Sequence, residues 1–233
     1  VAERLAADGS VVEALDEAEA EAVLREKLAG DYEAVAICLL NSYVNPQHEE
    51  RLAALVRQLD PNLSVTCSAH VCREFREYER CSTTALAAYV QPVVASYLDR
   101  FSASLEAAGY HGRFSIMQSN GGRLPAQAIG QNAITCLYSG PAAGVIGAAR
   151  QAAKSDFQKV ITLDMGGTST DVSLVEGGVP ELAGMTEIDG LPIKTPVIDI
   201  ATVGAGGGSL VWLDDGAMLR VGPQSAGADP GPA

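Results

Sequence analysis

VITLDMGGTSTDVSLVE, Val160 to Glu176, is the stretch on which the reading of the fold turns. An apolar run ends at Asp164, a Gly-Gly-Thr-Ser-Thr turn follows, and a second apolar run starts at Asp171. That order spells a β-hairpin with a polar tip. Gly166 and Gly167 strip side chains from the tip so that main-chain N–H groups can approach a phosphate, while Thr168, Ser169 and Thr170 add hydroxyl donors. Asp164 and Asp171 bracket the turn. A carboxylate does not favourably face a phosphate unless a cation intervenes. Asp164 is therefore the expected Mg2+ holder, directly or through water, or the group that orients an attacking water. Asp171 shares that role or fixes the turn. Asp beside Gly-Gly is also ordinary turn chemistry. The flanking apolar strands, the three consecutive hydroxyl residues and a small-residue helix upstream favour the phosphate reading.

That helix is Ser139 to Ala153, SGPAAGVIGAARQAA, in which Gly140, Ala143, Gly144, Gly147 and Ala148 permit close backbone approach and the N-terminus suits an anion or ligand. Downstream, after an expected strand from Ile198 to Val203, comes Gly204-Ala205-Gly206-Gly207-Gly208-Ser209. It either wraps a phosphate or packs against the hairpin, with Gly206, Gly207, Gly208 and Ser209 as candidate nucleotide contacts. The run from Gly222 to Pro232 suggests a loop stiffened by prolines near an active site.

Working outward to the N-terminal side, helical spacing of Val11, Leu15, Ala18, Ala22 and Leu28 predicts an amphipathic helix over 11–28, closed by Gly30. Ala34 to Leu40 predicts a buried strand. Asn45 as N-cap and Pro46 at the first helical position open a helix through Leu59, and Leu63 to Cys67 predicts the next strand. The order helix, strand, helix, strand implies right-handed crossovers around a mostly parallel sheet. Ser82 and Thr83 are expected to cap a long helix reaching about Ala108, kinked or broken at Pro92. Phe114 to Met117 predicts a strand entering the turn Ser119-Asn120-Gly121-Gly122. Arg80 with Glu77 and Glu79, and Asn120 with Gly121, are weak candidates for contacting an imide or carboxylate substrate; surface ion pairs and a plain turn explain them equally well. His48, followed by Glu49 and Glu50, has no second histidine at ligand spacing and fits a solvated helix start.

Composition bounds the function classes. The net charge is −13 and there is no Lys/Arg cluster, which speaks against nucleic acid or an anionic membrane as partner. Five cysteines without a CxxC pair suit reduced thiols in a cytoplasmic protein better than disulfides or a zinc knuckle. No apolar stretch is long enough to span a bilayer.

The helix 139–153 followed by this hairpin resembles the second-phosphate region of the actin, sugar-kinase and heat-shock chaperone superfamily of ATPases. Within it, DMGGTSTD, preceded by SGPAAGVIGAA and followed by GAGGGS and VGPQSAGADPGPA, is similar to the hydantoinase A/5-oxoprolinase family; SYVNPQHE, REYERCSTTALAAYVQP and MQSNGG extend the likeness over nearly the whole chain. The resemblance implies a partial α/β fold of the actin-like, ribonuclease H-like ATPase kind, with mixed sheets and flanking helices. Residues 1–78 would end the first domain and 79–233 open the second. It further implies ATP and Mg2+ as cofactors, and a small cyclic amide such as a hydantoin or 5-oxoproline, opened through a phosphorylated intermediate. A hydantoinase B-type subunit and a homo- or hetero-oligomer are the implied partners. An ATP-dependent carboxylase subunit of the same family and a non-enzymatic actin-like nucleotide switch are the alternatives. The family's first phosphate hairpin, resembling DIGGTFTD, is not among these residues, so the chain is expected to be part of a longer protein.

Overall fold

The computed structural model describes residues 1–227, 229 and 231. Two compact units emerge: one comprises residues 1–116, 123–137 and 184–196, the other 117–122, 138–183 and 197–233.

In the first unit, Ala34–Ile37 and Ser64–Cys67 pair in parallel, Ala34 opposite Ser64 and Ile37 opposite Cys67. The helix Gln47–Leu59 forms the crossover and sinks Leu52, Ala53, Leu55 and Val56. This is the βαβ unit that the apolar runs predict. The expected helix over 11–28 is shorter: Val11–Glu13 pairs as a strand with Arg4–Leu5, and the helix runs from Glu17 to Lys27. Asp16 accounts for the late start, because its carboxylate accepts the Glu19 N–H at 3.0 Å and caps the helix there. Gly30 does not adopt positive φ and closes nothing.

His48 and Glu49 correct the expectation of a solvated helix start. His48 is buried with its Nδ1 2.6 Å from Glu3 Oε2. Glu49 is fully buried and accepts from Leu39 N, Ser68 Oγ and Ala69 N at 2.8, 2.6 and 2.9 Å. A buried carboxylate persists only with such donors. Here they tie the end of the first strand to the turn after the second.

The long helix spans Glu77–Ala107 and begins earlier than expected. Ser82 and Thr83 lie inside it and do not cap it; the hydroxyls of Thr83 and its neighbour Thr84 donate back to the Glu79 and Arg80 carbonyls at 2.7 Å each. Pro92 lies inside the helix without breaking it, between a buried N-terminal face of Ala87, Ala88 and Gln91 and the buried Leu98. Tertiary packing of that face outweighs the single lost backbone bond. Pairing in the first unit is also less parallel than predicted, since Thr186–Ile188 and Leu191–Ile193 form an antiparallel hairpin.

The second unit is built on the sheet order Ala201–Val203, Thr170–Glu176, Val160–Met165, antiparallel throughout, with Val179–Pro180 added to the middle strand. The helix Ser139–Ala153 forms as predicted and buries Ala142, Val145 and Ala149, at i, i+3 and i+7, against Val175 and Ile198. Gly140 and Gly147 have open space around them, so close approach is not what asks for glycine there. Ser209–Leu213 and Leu219–Ser225 make a further antiparallel hairpin. Ser225 ends that strand; Ala228, Pro230 and Pro232 of the proline-rich run lie outside the described residues. No described helix is long and apolar enough to cross a membrane.

Candidate functional site

The hairpin places its two carboxylates in register. Asp164 pairs directly with Asp171, and Asp171 with Thr202 on the next strand, which makes one row across three strands. Residues directly opposite share a face of a pleated sheet. Thr162 lies two residues before Asp164 on that face, while Ile161, Leu163 and Met165 alternate to the other and are exposed. Thr202 Oγ1 donates to Asp171 Oδ1 at 2.7 Å. Asp164 has no such donor among the described residues and lies over the helix, 3.4 Å from where a Cβ on Gly144 would stand. A cavity of about 180 Å³ opens here, lined by Asp164, Asp171, Thr162 and, from the helix, Pro141 and Gly144. No cluster of three or more His, Cys, Asp or Glu side chains able to hold a metal occurs among the described residues. Two carboxylates are thus what this row offers a cation.

The hairpin tip is braced from behind. Gly207 N donates to Gly166 O at 2.9 Å and Gly208 N to Gly167 O at 2.7 Å. A Cβ on Gly206 would sit 2.6 Å from Gly166 O and 2.8 Å from Ser169 N, so only glycine lets the two backbones meet. Gly206 N is taken by Ser209 Oγ at 2.8 Å, and Thr170 Oγ1 by Ala205 O at 2.6 Å. Of the two readings of the glycine run, packing against the hairpin is therefore the one seen. The amides of Gly206, Gly207 and Gly208 are already spent, the Thr170 hydroxyl donates to a carbonyl, and Ser209 Oγ is engaged as an acceptor. In front, Gly166, Gly167 and Thr168 are exposed and Ser169 half-buried. Gly166 N donates to Ser169 O at 2.9 Å, whereas the amides of Gly167, Thr168 and Ser169 meet no acceptor among the described residues.

The weak substrate candidates separate. Arg80 is fully buried in the first unit, its guanidinium donating to Leu39 O at 2.6 Å and Glu74 O at 3.1 Å and lying over the Tyr43 ring. It pairs with neither Glu77 nor Glu79. An arginine closed off from solvent with its fork on main-chain carbonyls acts as a structural tie in this unit. Asn120 and Gly121 belong to the second unit. Asn120 Oδ1 accepts Gly122 N at 2.8 Å, and Gly121 takes φ +81° with Ile146 and Ile198 where its Cβ would be. Turn chemistry accounts for both. Sequence reasoning missed Thr202, Pro141 and Thr162, because only the strand register and the seating of the helix reveal that they share a face with Asp164.

Comparison with known proteins gives this geometry its family. Residues 80–233 match the Hydantoinase/oxoprolinase family and residues 1–59 the Hydantoinase/oxoprolinase N-terminal region. The chain belongs to the hydantoinase/oxoprolinase family. It is 41% identical over 230 residues to the caprolactamase subunit alpha of Pseudomonas jessenii, covering 98% of this chain and 33% of that protein. It is 36% identical to the 5-oxoprolinase of Saccharomyces cerevisiae, covering 96% and 17%. The crystal structure of the ATP-dependent caprolactamase superimposes with a TM-score of 0.84 at 40% identity, over 99% of this chain and 33% of the other. A nucleotide-free acetone carboxylase does so with 0.79 at 30% identity, over 97% and 32%. The chain thus spans about a third or less of these relatives. Its architecture is a partial actin-like ATPase fold of mixed α/β type.

Proposed function

We propose that this chain supplies the second phosphate-binding hairpin of an ATP-dependent enzyme that opens cyclic amides of the hydantoin or 5-oxoproline type through a phosphorylated intermediate. Residues 1–78 would close the first domain and 79–233 open the second. The observation that carries the reading is the hairpin tip. Gly167 does not have positive φ, and a Cβ there meets no atom within 4 Å among the described residues, whose packing therefore does not call for glycine. The adjoining amides have no acceptor among the described residues. A phosphoryl group supplies both missing elements, acceptor oxygens and bulk over bare backbone.

The carboxylate row fits Mg2+. That ion is commonly held by one or two carboxylates together with phosphate oxygens and water, so the lack of a third protein ligand suits it. Asp164 and Asp171 would hold it, Asp164 foremost because Thr202 already satisfies one oxygen of Asp171. When bound, Mg2+ and ATP supply the activated phosphoryl group. The chain's own share is to bind that group through the Gly167 to Ser169 amides and the Thr168 and Ser169 hydroxyls. Gly206 to Ser209 keep the tip in place. The subunit name of the caprolactamase relative supports a multi-subunit assembly, in which a hydantoinase B-type chain would be the partner.

The acetone carboxylase likeness favours a second reading, an ATP-dependent carboxylase subunit on the same hairpin. The deciding experiment measures ADP release by the full-length protein against hydantoins, 5-oxoproline, lactams, and ketones with bicarbonate, each with and without a B-type subunit. Release stimulated by a cyclic amide is expected. Stimulation only by a ketone with bicarbonate selects the carboxylase, and no stimulation by any of them contradicts both.

A further inference from the structure

Cys38 immediately follows the buried strand Ala34–Ile37, and Cys81 sits in the second turn of the long helix Glu77–Ala107. The two elements pack on each other in the first unit. Their juxtaposition is fixed one residue away on each side: Arg80, next to Cys81, is fully buried and holds the carbonyl of Leu39, next to Cys38, at 2.6 Å. The Cys38 side chain is near enough to act on the Cys81 thiol. All five cysteines are free. Cys67 and Cys72 are buried, Cys67 near Glu49 O at 3.6 Å, and half-buried Cys136 lies 3.1 Å from Ala133 O. Cys81 alone is exposed, with Cys38 half-buried beside it.

We propose that Cys38 and Cys81 form a reversible disulfide that staples the end of the strand to the start of the long helix. The oxidant class is a small exposed disulfide such as oxidised glutathione. The Cys81 thiolate attacks one sulfur of that disulfide, forms a mixed disulfide and expels one small thiolate. The Cys38 thiolate then attacks Cys81 Sγ and expels the second. Two protons leave the cysteines and two small thiols are formed, so one disulfide replaces another with no net gain or loss of electrons. Exposure makes Cys81 the entry point, and the half-buried neighbour resolves the adduct before a second small thiol reaches it. Burial, and after it the Cys38 neighbour, pushes the Cys81 thiol above its ordinary range, so closure quickens as pH rises.

The test equilibrates the full-length protein with graded mixtures of reduced and oxidised glutathione at several pH values. Thiols are then trapped by alkylation, and intact masses and non-reduced peptides are read. The expected product carries two fewer alkyl groups than the fully reduced protein and no glutathione, and yields one cross-linked peptide pair containing Cys38 and Cys81. Reduction should reverse it. Cys38→Ser should instead accumulate a stable glutathione adduct on Cys81, and Cys81→Ser should leave Cys38 largely free. Independent adducts on both cysteines of the unsubstituted protein, or cross-links between molecules through Cys81, would overturn the proposal.

Discussion

The hydroxyl of Thr202 donates to Asp171 Oδ1 at 2.7 Å, across the same pairing that sets Asp171 opposite Asp164. The two facing carboxylates are thereby made unequal. One is held by a neutral donor, and the other has no side-chain donor among the described residues. Thr202→Val removes the donor with little change in shape. It should lower Mg2+-dependent ATP turnover about tenfold, the worth of one hydrogen bond to a charged group. Folding stability should change by less than about 1 kcal/mol, because the bond is exposed. Turnover and denaturant melts on the same preparations check both.

Two glycines on facing loops should respond in opposite ways. Gly206→Ala drives a methyl into Gly166 O and Ser169 N and should cost about 1–3 kcal/mol of stability. Gly167→Ala meets open space, so its melt should be nearly unchanged while its affinity for ATP falls. A paired comparison of thermal unfolding and nucleotide titration reads both.

Arg80 should behave as a structural tie. Arg80→Ala strands the Leu39 and Glu74 carbonyls and is expected to destabilise the protein by about 3 kcal/mol. Lysine should not restore it, having one point donor where the fork makes two bonds. The fraction that folds should keep an unaltered KM, measurable at low temperature.

Cys67 gives stability a pH dependence. Burial, helped by the Glu49 charge, pushes its thiol from 9.0 to about 11. The folded state therefore keeps a proton that the unfolded chain releases first. The stability so gained is fully present below about pH 9 and is lost as pH rises toward 11. Cys67→Ala should flatten that alkaline limb in melts taken across the window.

Much of this was legible in the residues themselves. The hairpin, the helix 139–153 and the parallel pair around 47–59 carry local signals strong enough to fix their type, and tertiary packing agreed with them. What the residues alone could not show depends on partners distant in sequence. Glu49 reads as an ordinary first-turn acid until Leu39, Ser68 and Ala69 converge on it. Arg80 reads as a surface cation until the strand end closes over it. The glycine run leaves wrapping a phosphate and packing on a hairpin both open, and only its bonds to Gly166 and Gly167 reveal the packing. Thr202 has no local signal at all, since a strand's register is set by its neighbour.

The central claim is that the hairpin tip and Asp164 together bind a nucleotide phosphate with Mg2+. Calorimetric titration of ATP into the protein, with and without Mg2+, tests it most directly when the Asp164→Asn variant is run alongside. Saturable, Mg2+-dependent binding that Asp164→Asn weakens about tenfold or more, with circular dichroism unchanged, is the expected result. Equal Mg2+-dependent affinity in the variant and the unsubstituted protein would contradict it.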